Sequence, residues 1–322
     1  MKKQRGFSLV ELLVSILLAM TLLTAAYSVY FGASRVSKFQ TQIARMQDNA
    51  RMAMDVLAQN FRRAGFTINY NNYPIGTTVG GLASKIVPVN STTGPDSVSL
   101  AGIPGSTVHY LTQEAAPGSR TLYLDTASGV TTTSVIALSY THSALVNKIT
   151  GTGTVELDTA VPAGSLQMKY YGPTAISHGT TTVKQPAEVV ALTSTRFYID
   201  KSDPAHPTLY QDSFPLAEDI EDLQIAYGVD INNNNVIDPG EWTSTPATYN
   251  VGGISMNATN LIYEVRITIV ARTSQEDRGW ESQSRTITAE DHTNNFNDKY
   301  HRFVLTRIVK CRNARAFMGG AL

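Results

Sequence analysis

The chain has 322 residues, of which 42% are apolar, and its 26 Lys and Arg balance 26 Asp and Glu. Formal neutrality without a long basic block argues against a nucleic-acid surface. Cys311 is the single cysteine, which excludes an intrachain disulfide and leaves two readings, a buried small hydrophobe or an intermolecular link.

The N-terminus begins with a cationic tip, Met1-Lys2-Lys3-Gln4-Arg5-Gly6, followed by an apolar run with one acid, Phe7-Ser8-Leu9-Val10-Glu11-Leu12-Leu13. No charged residue occurs from Leu12 to Ser34. That is enough to cross a hydrocarbon layer of about 30 Å, which needs about 20 helical residues. A carboxylate within it, Glu11, costs on the order of 2.5–3.5 kcal/mol, less near the interface, and calls for a partner. A secretory signal has a shorter apolar region, roughly 7–15 residues, and an A-x-A-like site that is not evident near Thr24-Ala25-Ala26. A plain anchor explains the length but neither Gly6 nor Glu11. Lys2, Lys3 and Arg5 orient the N-terminus toward the cytoplasm and everything after Ser34 away from it.

Helical periodicity continues past the apolar run. Val36, Phe39, Ile43, Met46, Ala50, Ala53 and Leu57 form one apolar face, and Gly65 stands where a helix C-cap glycine belongs. No proline interrupts Phe7–Ala64, so the rod measures roughly 87 Å at 1.5 Å per residue. The apolar stripe suits either packing on a soluble domain or a coiled-coil seam.

Residues 66–322 are long enough for one large or two small cores. Runs rich in Val, Ile, Thr and Tyr predict strands at Ser97–Leu100, Thr121–Leu124, Val135–Tyr140, Thr154–Leu157, Val189–Ile199, Leu261–Arg272 and Ser284–Thr288. The Asn, Gly, Ser, Thr and Pro content from Asn69 to Gly118 predicts loop with short strands. Alternation in Leu261–Arg272 predicts a half-buried strand, with Glu264, Arg266 and Thr268 on one face and Val265, Ile267 and Ile269 on the other.

Between two of these runs lies Asp230-Ile231-Asn232-Asn233-Asn234-Asn235-Val236-Ile237-Asp238-Pro239-Gly240-Glu241. Numbered from Asp230, oxygen donors fall at the positions of a twelve-residue calcium loop: Asp230, Asn232, Asn234, the Val236 carbonyl, Asp238 and Glu241. Calcium, a hard cation taking six to eight oxygens, is the expected cofactor, in a structural role. Asn235 replaces the usual glycine of the sharp turn, although asparagine tolerates the left-handed region better than most residues. The competing reading is an Asn-rich turn that binds nothing. No G-x-S-x-G, H-E-x-x-H or P-loop occurs, and His109, His142, His178, His206, His292 and His301 lack metal-ligand spacing, so no enzyme is expected.

The Gly6-Phe7 junction with Glu11 resembles the class III leader of type IV pilin-like proteins. Leu57-Ala58-Gln59-Asn60-Phe61-Arg62-Arg63-Ala64-Gly65-Phe66, Leu209-Tyr210-Gln211, the run from Pro215 to Asp230, Arg272-Thr273 and the tail from Phe303 to Asn313 resemble PilW-type minor pilins more narrowly. Asn69–Lys184 matches neither pattern. The resemblance implies an α+β, type IV pilin-like fold: a long N-terminal helix, half transmembrane and half amphipathic, packed on an antiparallel β-sheet with loop-rich β insertions. Its parts would be a leader (1–6), an assembly and transmembrane half (7–34), an amphipathic half (35–65) and an extracytoplasmic region (66–322) with a β insertion at about 69–184.

It further implies that a prepilin peptidase/methyltransferase cuts after Gly6 and methylates Phe7. Glu11 then pairs with the N-terminal ammonium of a neighbouring subunit and sets register. The implied partners are other minor pilins, the major pilin, a tip adhesin and inner-membrane lipid before assembly. The implied role is to prime a type IV pilus and sit at its tip, after a single-pass stage with the C-terminal domain in the periplasm. A J-type pseudopilin of type II secretion shares the plan and is the alternative. The chain departs from many major pilins at Ser28, where they carry a helix-kinking proline.

Overall fold

The computed structural model describes residues 9–65, 85–113, 115, 118–132, 134–138, 142–158, 160–161, 188–232, 234, 236–246, 248–251, 254–257, 262–277, 279 and 284–311. Gly6 and Phe7 lie outside these residues, as does the predicted end of the strand at Tyr140.

Helix α1, Leu9–Arg63, runs for 55 residues with no break. Ala64 N–H donates to Asn60 O at 2.8 Å, and Gly65, at φ 72°, turns the chain so that its own N–H donates to Ala101 O at 2.8 Å. That is the glycine stop expected from the sequence, because φ above zero costs a side-chain-bearing residue more than glycine. Met46, Ala50, Ala53, Met54, Leu57, Ala58 and Phe61 are buried. The apolar stripe starts later than the periodicity predicts: Ile43 and Phe39 are half-buried and Val36 is 56% exposed. Close packing of the domain on the helix begins at about Phe39, whose ring lies 5.7 Å from that of His301, with only the loose Arg35–Asp277 contact before it.

Against that face lies a four-stranded antiparallel sheet in the order β11 (Trp242–Thr243), β10 (Ile220–Val229), β14 (Ile262–Arg272), β17 (Arg302–Lys310). Leu223, Ile225, Tyr227 and Val229 of β10 and Val265, Ile267 and Ile269 of β14 join the helix residues in one core. Each such aliphatic side chain contributes about 1.5–3 kcal/mol on burial. The outer face of β14 is not the solvated face that alternation predicts, because Thr268 and Val270 are also buried. A hairpin of β15 (Arg285–Ala289) and β16 (His292–Phe296) lies over it. Its turn residue Glu290 grips Arg266 at 2.7 and 2.6 Å.

A two-stranded hairpin, β12 (Thr248–Val251) and β13 (Ile254–Asn257), stands apart, and a nine-stranded sheet carries the rest. Its main path runs β1 (Ile86–Val89), β2 (Ser97–Tyr110), β7 (Glu188–Asp200), β4 (Val135–Leu138), β5 (His142–Thr150), β6 (Thr154–Leu157), β3 (Thr121–Tyr123), with β8 (Thr208–Gln211) and β9 (Phe214–Glu218) alongside β7. The loop predicted across Asn69–Gly118 is overturned at β2, a single strand of 14 residues. Its pairing with β7 shifts between Ala101 and Ile103 and again between Pro104 and Val108. Gly102 (φ 72°) and Pro104 therefore mark irregularities within a strand and not the ends of short ones. The long strands serve two cores. Val98, Leu100 and Phe197 join the helix core, while Val189 joins a second cluster around Leu111, Leu122, Ile136, Leu138 and Val146.

Leu57 is fully buried in the helix core, so Leu57→Ala should lower stability by about 2–5 kcal/mol. Val36→Ala, on the exposed stretch, should change it by no more than about 0.5 kcal/mol. Chemical denaturation of the detergent-solubilised chain checks both.

Candidate functional site

The N-terminal half of α1 stands clear of the domain. Its most apolar 18-residue window has mean hydropathy 2.3 and no residue buried, which fits anchoring in a membrane. Glu11 lies in the first turn of the helix, exposed. Tyr27, Tyr30 and Phe31 crowd together near the other end of the span, with ring centroids 4.5 Å apart for Tyr27–Phe31 and 6.1 Å for Tyr30–Phe31. Amphipathic rings of this kind favour a membrane–water interface.

Where the helix enters the domain, buried charges tie the near end of the sheet together. Arg302 donates to Glu221 at 2.6 and 3.1 Å and to Asp298 at 2.7 and 2.6 Å, and Arg272 donates to the carbonyls of Pro204 and Ala205 at 2.5 and 2.9 Å. Burial works to lower the Arg302 pKa, but hydrogen bonds to Asp298 and Glu221 hold it above the ordinary arginine range. Helix and sheet run alongside one another from this end. Asn49 donates to Glu218 O at 3.1 Å, Arg307 pairs with Asp55 at 2.5 Å, and Gly65 reaches Ala101.

The Asn-rich loop follows β10 at the opposite end of the sheet, beside the C-terminal end of α1. Asp230 and Glu241 are buried at its base, and Val236 is exposed at its tip. Glu241 Oε1 accepts N–H bonds from Ile231 and Asn232 at 3.0 and 3.3 Å, and its Oε2 accepts one from Asp238 at 3.0 Å. Asp230 Oδ1 and Asn232 Oδ1 each accept from Asn234 N–H at 3.0 Å, and Asn234 Oδ1 accepts from Val236 N–H at 2.8 Å. The side-chain amides of Asn232 and Asn234 donate to Asp238 Oδ2 at 3.0 and 3.4 Å. Asp230, Asn232, Asn234, Asp238 and Glu241 are thus brought together, with their oxygens held by the loop's own donors. Asn235 lies outside the described residues. Among the described residues no group of three or more His, Cys, Asp or Glu could hold a metal ion as it stands.

Sequence reasoning missed a buried polar cluster that fastens the β15–β16 hairpin to the sheet. His292 Nδ1 lies 2.9 Å from Asp222 Oδ2, Asn294 donates to the same oxygen at 2.9 Å, and Gln224 donates to Asp222 Oδ1 at 3.0 Å and to Gly94 O at 2.9 Å. Next to it Asp96 accepts the backbone N–H groups of Ser91 and Ile225, both at 2.8 Å. The signal in the sequence was Asp222 and Gln224 alternating inside a strand whose remaining residues, apart from Glu221, are apolar or small. Four histidines of the described region stand beside an aspartate, His109, His206, His292 and His301, at 3.8, 3.0, 2.9 and 3.3 Å. Cys311 is buried, and burial pushes its thiol up to about 12, which keeps it protonated and unreactive.

Burial raises the Asp96 carboxyl from 3.8 to about 6, against the two N–H donors that lower it. The folded state therefore binds that proton more tightly than the unfolded chain. The resulting stability is complete below the ordinary value and lost as pH rises through about 6. Melting temperatures of the parent measured against Asp96→Asn should show a parent advantage that shrinks between about pH 4 and 7. A gap independent of pH would refute this.

Two family matches bear on the chain. Residues 1–27 match the Prokaryotic N-terminal methylation motif, and residues 194–313 match Type IV Pilus-assembly protein W. The second match runs from β7 to the end of β17 and so spans the helix-packed sheet, the Asn-rich loop and the covering hairpin. Neither the curated proteins nor the solved structures include a match to the chain. A methylation motif at the head of a 55-residue helix, and a PilW match over the sheet packed on that helix, are consistent with a type IV pilin-like protein of the PilW type.

Proposed function

We propose that this protein is a minor pilin that co-assembles with other minor pilins, primes a type IV pilus and sits at its tip, without catalysing a reaction. The observation that carries the reading is the helix: one half lies bare and apolar, while the other half is fixed to a domain. A bare apolar helix suits lipid before assembly and neighbouring helices in a fibre afterwards. In this reading the chain is held in the inner membrane with its domain in the periplasm, cleaved after Gly6 and methylated at Phe7. Glu11 then meets the Phe7 ammonium of a neighbouring subunit, each offsetting the other's desolvation cost. The domain surface selects the neighbours, which include the major pilin and a tip adhesin, and residues of about 69–184 form an added β module.

Quantitative mass spectrometry of sheared surface fibres and of the membrane fraction tests this. The expected result is a peptide beginning at N-methylated Phe7, at a low ratio to the major subunit in fibres. Processed protein confined to the membrane would favour the J-type pseudopilin, and an uncut leader would overturn the reading. Glu11→Ala should sharply reduce incorporation into fibres while leaving membrane insertion intact, read by immunoblot of the same two fractions.

Calcium belongs to the same proposal. Supporting it is an oxygen donor at every ligand position of the loop, with Asp230 and Glu241 buried at its base. Binding would require the carboxylates of Glu241 and Asp238 to exchange N–H donors for the ion, and the asparagine amides to present oxygen. A ligand that binds the folded state alone stabilises it by about 2.7 kcal/mol at a hundredfold excess over Kd, and each kcal/mol raises Tm by about 2–4 °C in a domain of this size. Calcium, and not magnesium, should therefore raise the melting temperature, and Asp230→Ala should abolish the rise. An unchanged melt in the parent would remove calcium from the proposal.

A further inference from the structure

The membrane-proximal side of the domain holds a cleft of about 990 Å³, walled by α1 on one side and by the ends of β14 and β17 on the other. Phe31, Arg35 and Lys38 line the helical wall, and Gln275, Glu276 and Tyr300 line the domain wall. Counted from Leu12, about 20 residues of helix span the hydrocarbon and end near Gly32. Arg35 and Lys38 then stand about 4.5 and 9 Å further out along the axis, at the depth of lipid headgroups. They are the first two cations after the span.

Both cations have donors to spare. Arg35 is half-exposed and meets Asp277 only loosely, at 3.8 Å, and Asp277 also takes the Gly279 N–H at 2.9 Å and His301 at 3.3 Å. Lys38 is exposed, with no hydrogen-bond or ion-pair partner among the described residues. Glu276 is exposed on the facing wall. The cleft therefore offers two cations on the helix side, one carboxylate with no partner among the described residues on the domain side, and an apolar floor at Phe31 that continues into the bare helix. Gly32 adds open space, since a methyl group there would meet nothing within 4 Å.

We propose that this cleft binds a phospholipid with a zwitterionic, primary-amine headgroup of the phosphoethanolamine class. Arg35 and Lys38 take the phosphate, Glu276 takes the ammonium, and an acyl chain lies along Phe31 and the apolar helix. An anionic headgroup would satisfy the cations but leave Glu276 facing negative charge. A quaternary amine would meet Glu276 without N–H donors. Tyr300, stacked under Arg272 at 4.3 Å, also lines the cleft. The lipid would hold the domain at a fixed tilt on the membrane before the subunit enters a fibre, and would have to be released on entry.

The inference rests on the membrane-anchored reading of α1, and the test separates the two. The full-length chain is reconstituted into nanodiscs of equal parts phosphoethanolamine, phosphocholine and phosphoglycerol lipid, then released gently and weighed by native mass spectrometry. Failure to enter the discs would overturn both readings. Entry with retained lipid of bulk composition would overturn this one alone, as would enrichment of phosphoglycerol lipid in the parent. The expected result is several-fold enrichment of phosphoethanolamine lipid, lost in the Arg35→Gln/Lys38→Gln double variant and shifted toward phosphoglycerol lipid in Glu276→Gln. Lys148→Gln, an exposed cation on β5, should retain the parental pattern. A photo-crosslinker at Ser274 on the cleft wall should add the mass of a lipid, and addition of a protein instead would overturn the assignment.

Discussion

Packing of Met46, Ala50, Ala53, Leu57 and Phe61 onto β14 and β17, and onto β2 and β9 beside them, is the contact on which the rest of the molecule depends. It fixes one half of α1 in a protein core and leaves the most apolar stretch of the other half unburied among the described residues. An unbroken helix cannot relax at the junction, so the position of the domain relative to the span follows from the rigidity of the rod and from where the stripe becomes buried. The later start of burial, nearer Ile43 than Val36, leaves a gap between span and domain. That gap is the cleft with Arg35 and Lys38 on its helical wall.

Around this contact the polar groups divide into three sets with different tasks. At the near end, Arg272 and Arg302 share Glu221 and bind the loops about Pro204 and Asp298 to the sheet. In the middle, Asp222, His292, Asn294 and Gln224 clasp the β15–β16 hairpin over strands that would otherwise face water. At the far end, Glu241 and Asp230 close the Asn-rich loop on its own N–H groups. Removing one member of a buried charged set costs more than the pair contributes, because the remaining charge is left uncompensated. These sets therefore favour one arrangement of the loops over its competitors.

The second core, about Leu111, Ile136, Leu138 and Val146, shares β7 with the first and, among the described residues, includes no residue of α1. A long shared strand couples the two cores without requiring a separate linker. Gly102 and Pro104 interrupt the pairing of β2 without ending the strand. Composition alone could not separate that case from a loop, since both use the same residue types.

The chain's own order of residues determined the helix, its apolar stretch, its C-cap at Gly65 and the positions of β2 in part, β3, β4, β6, β7, β14 and β15, but not β10 or β17. Those depend on local periodicity, on the absence of proline and on the uniform cost of charge in hydrocarbon. It also carried the resemblance that the two family matches support, through the Gly6-Phe7-Glu11 pattern and the segments around Pro215 and Phe303. Tertiary structure alone decided which face of β14 is solvated, how far β2 extends, where the domain meets the helix, and which distant acids meet Arg302 and His292. Glu221 and Arg302 are 81 positions apart, and Asp222 and His292 are 70 apart. No periodicity connects such pairs, because the free energy that joins them comes from burying sheet and helix together and not from either segment by itself.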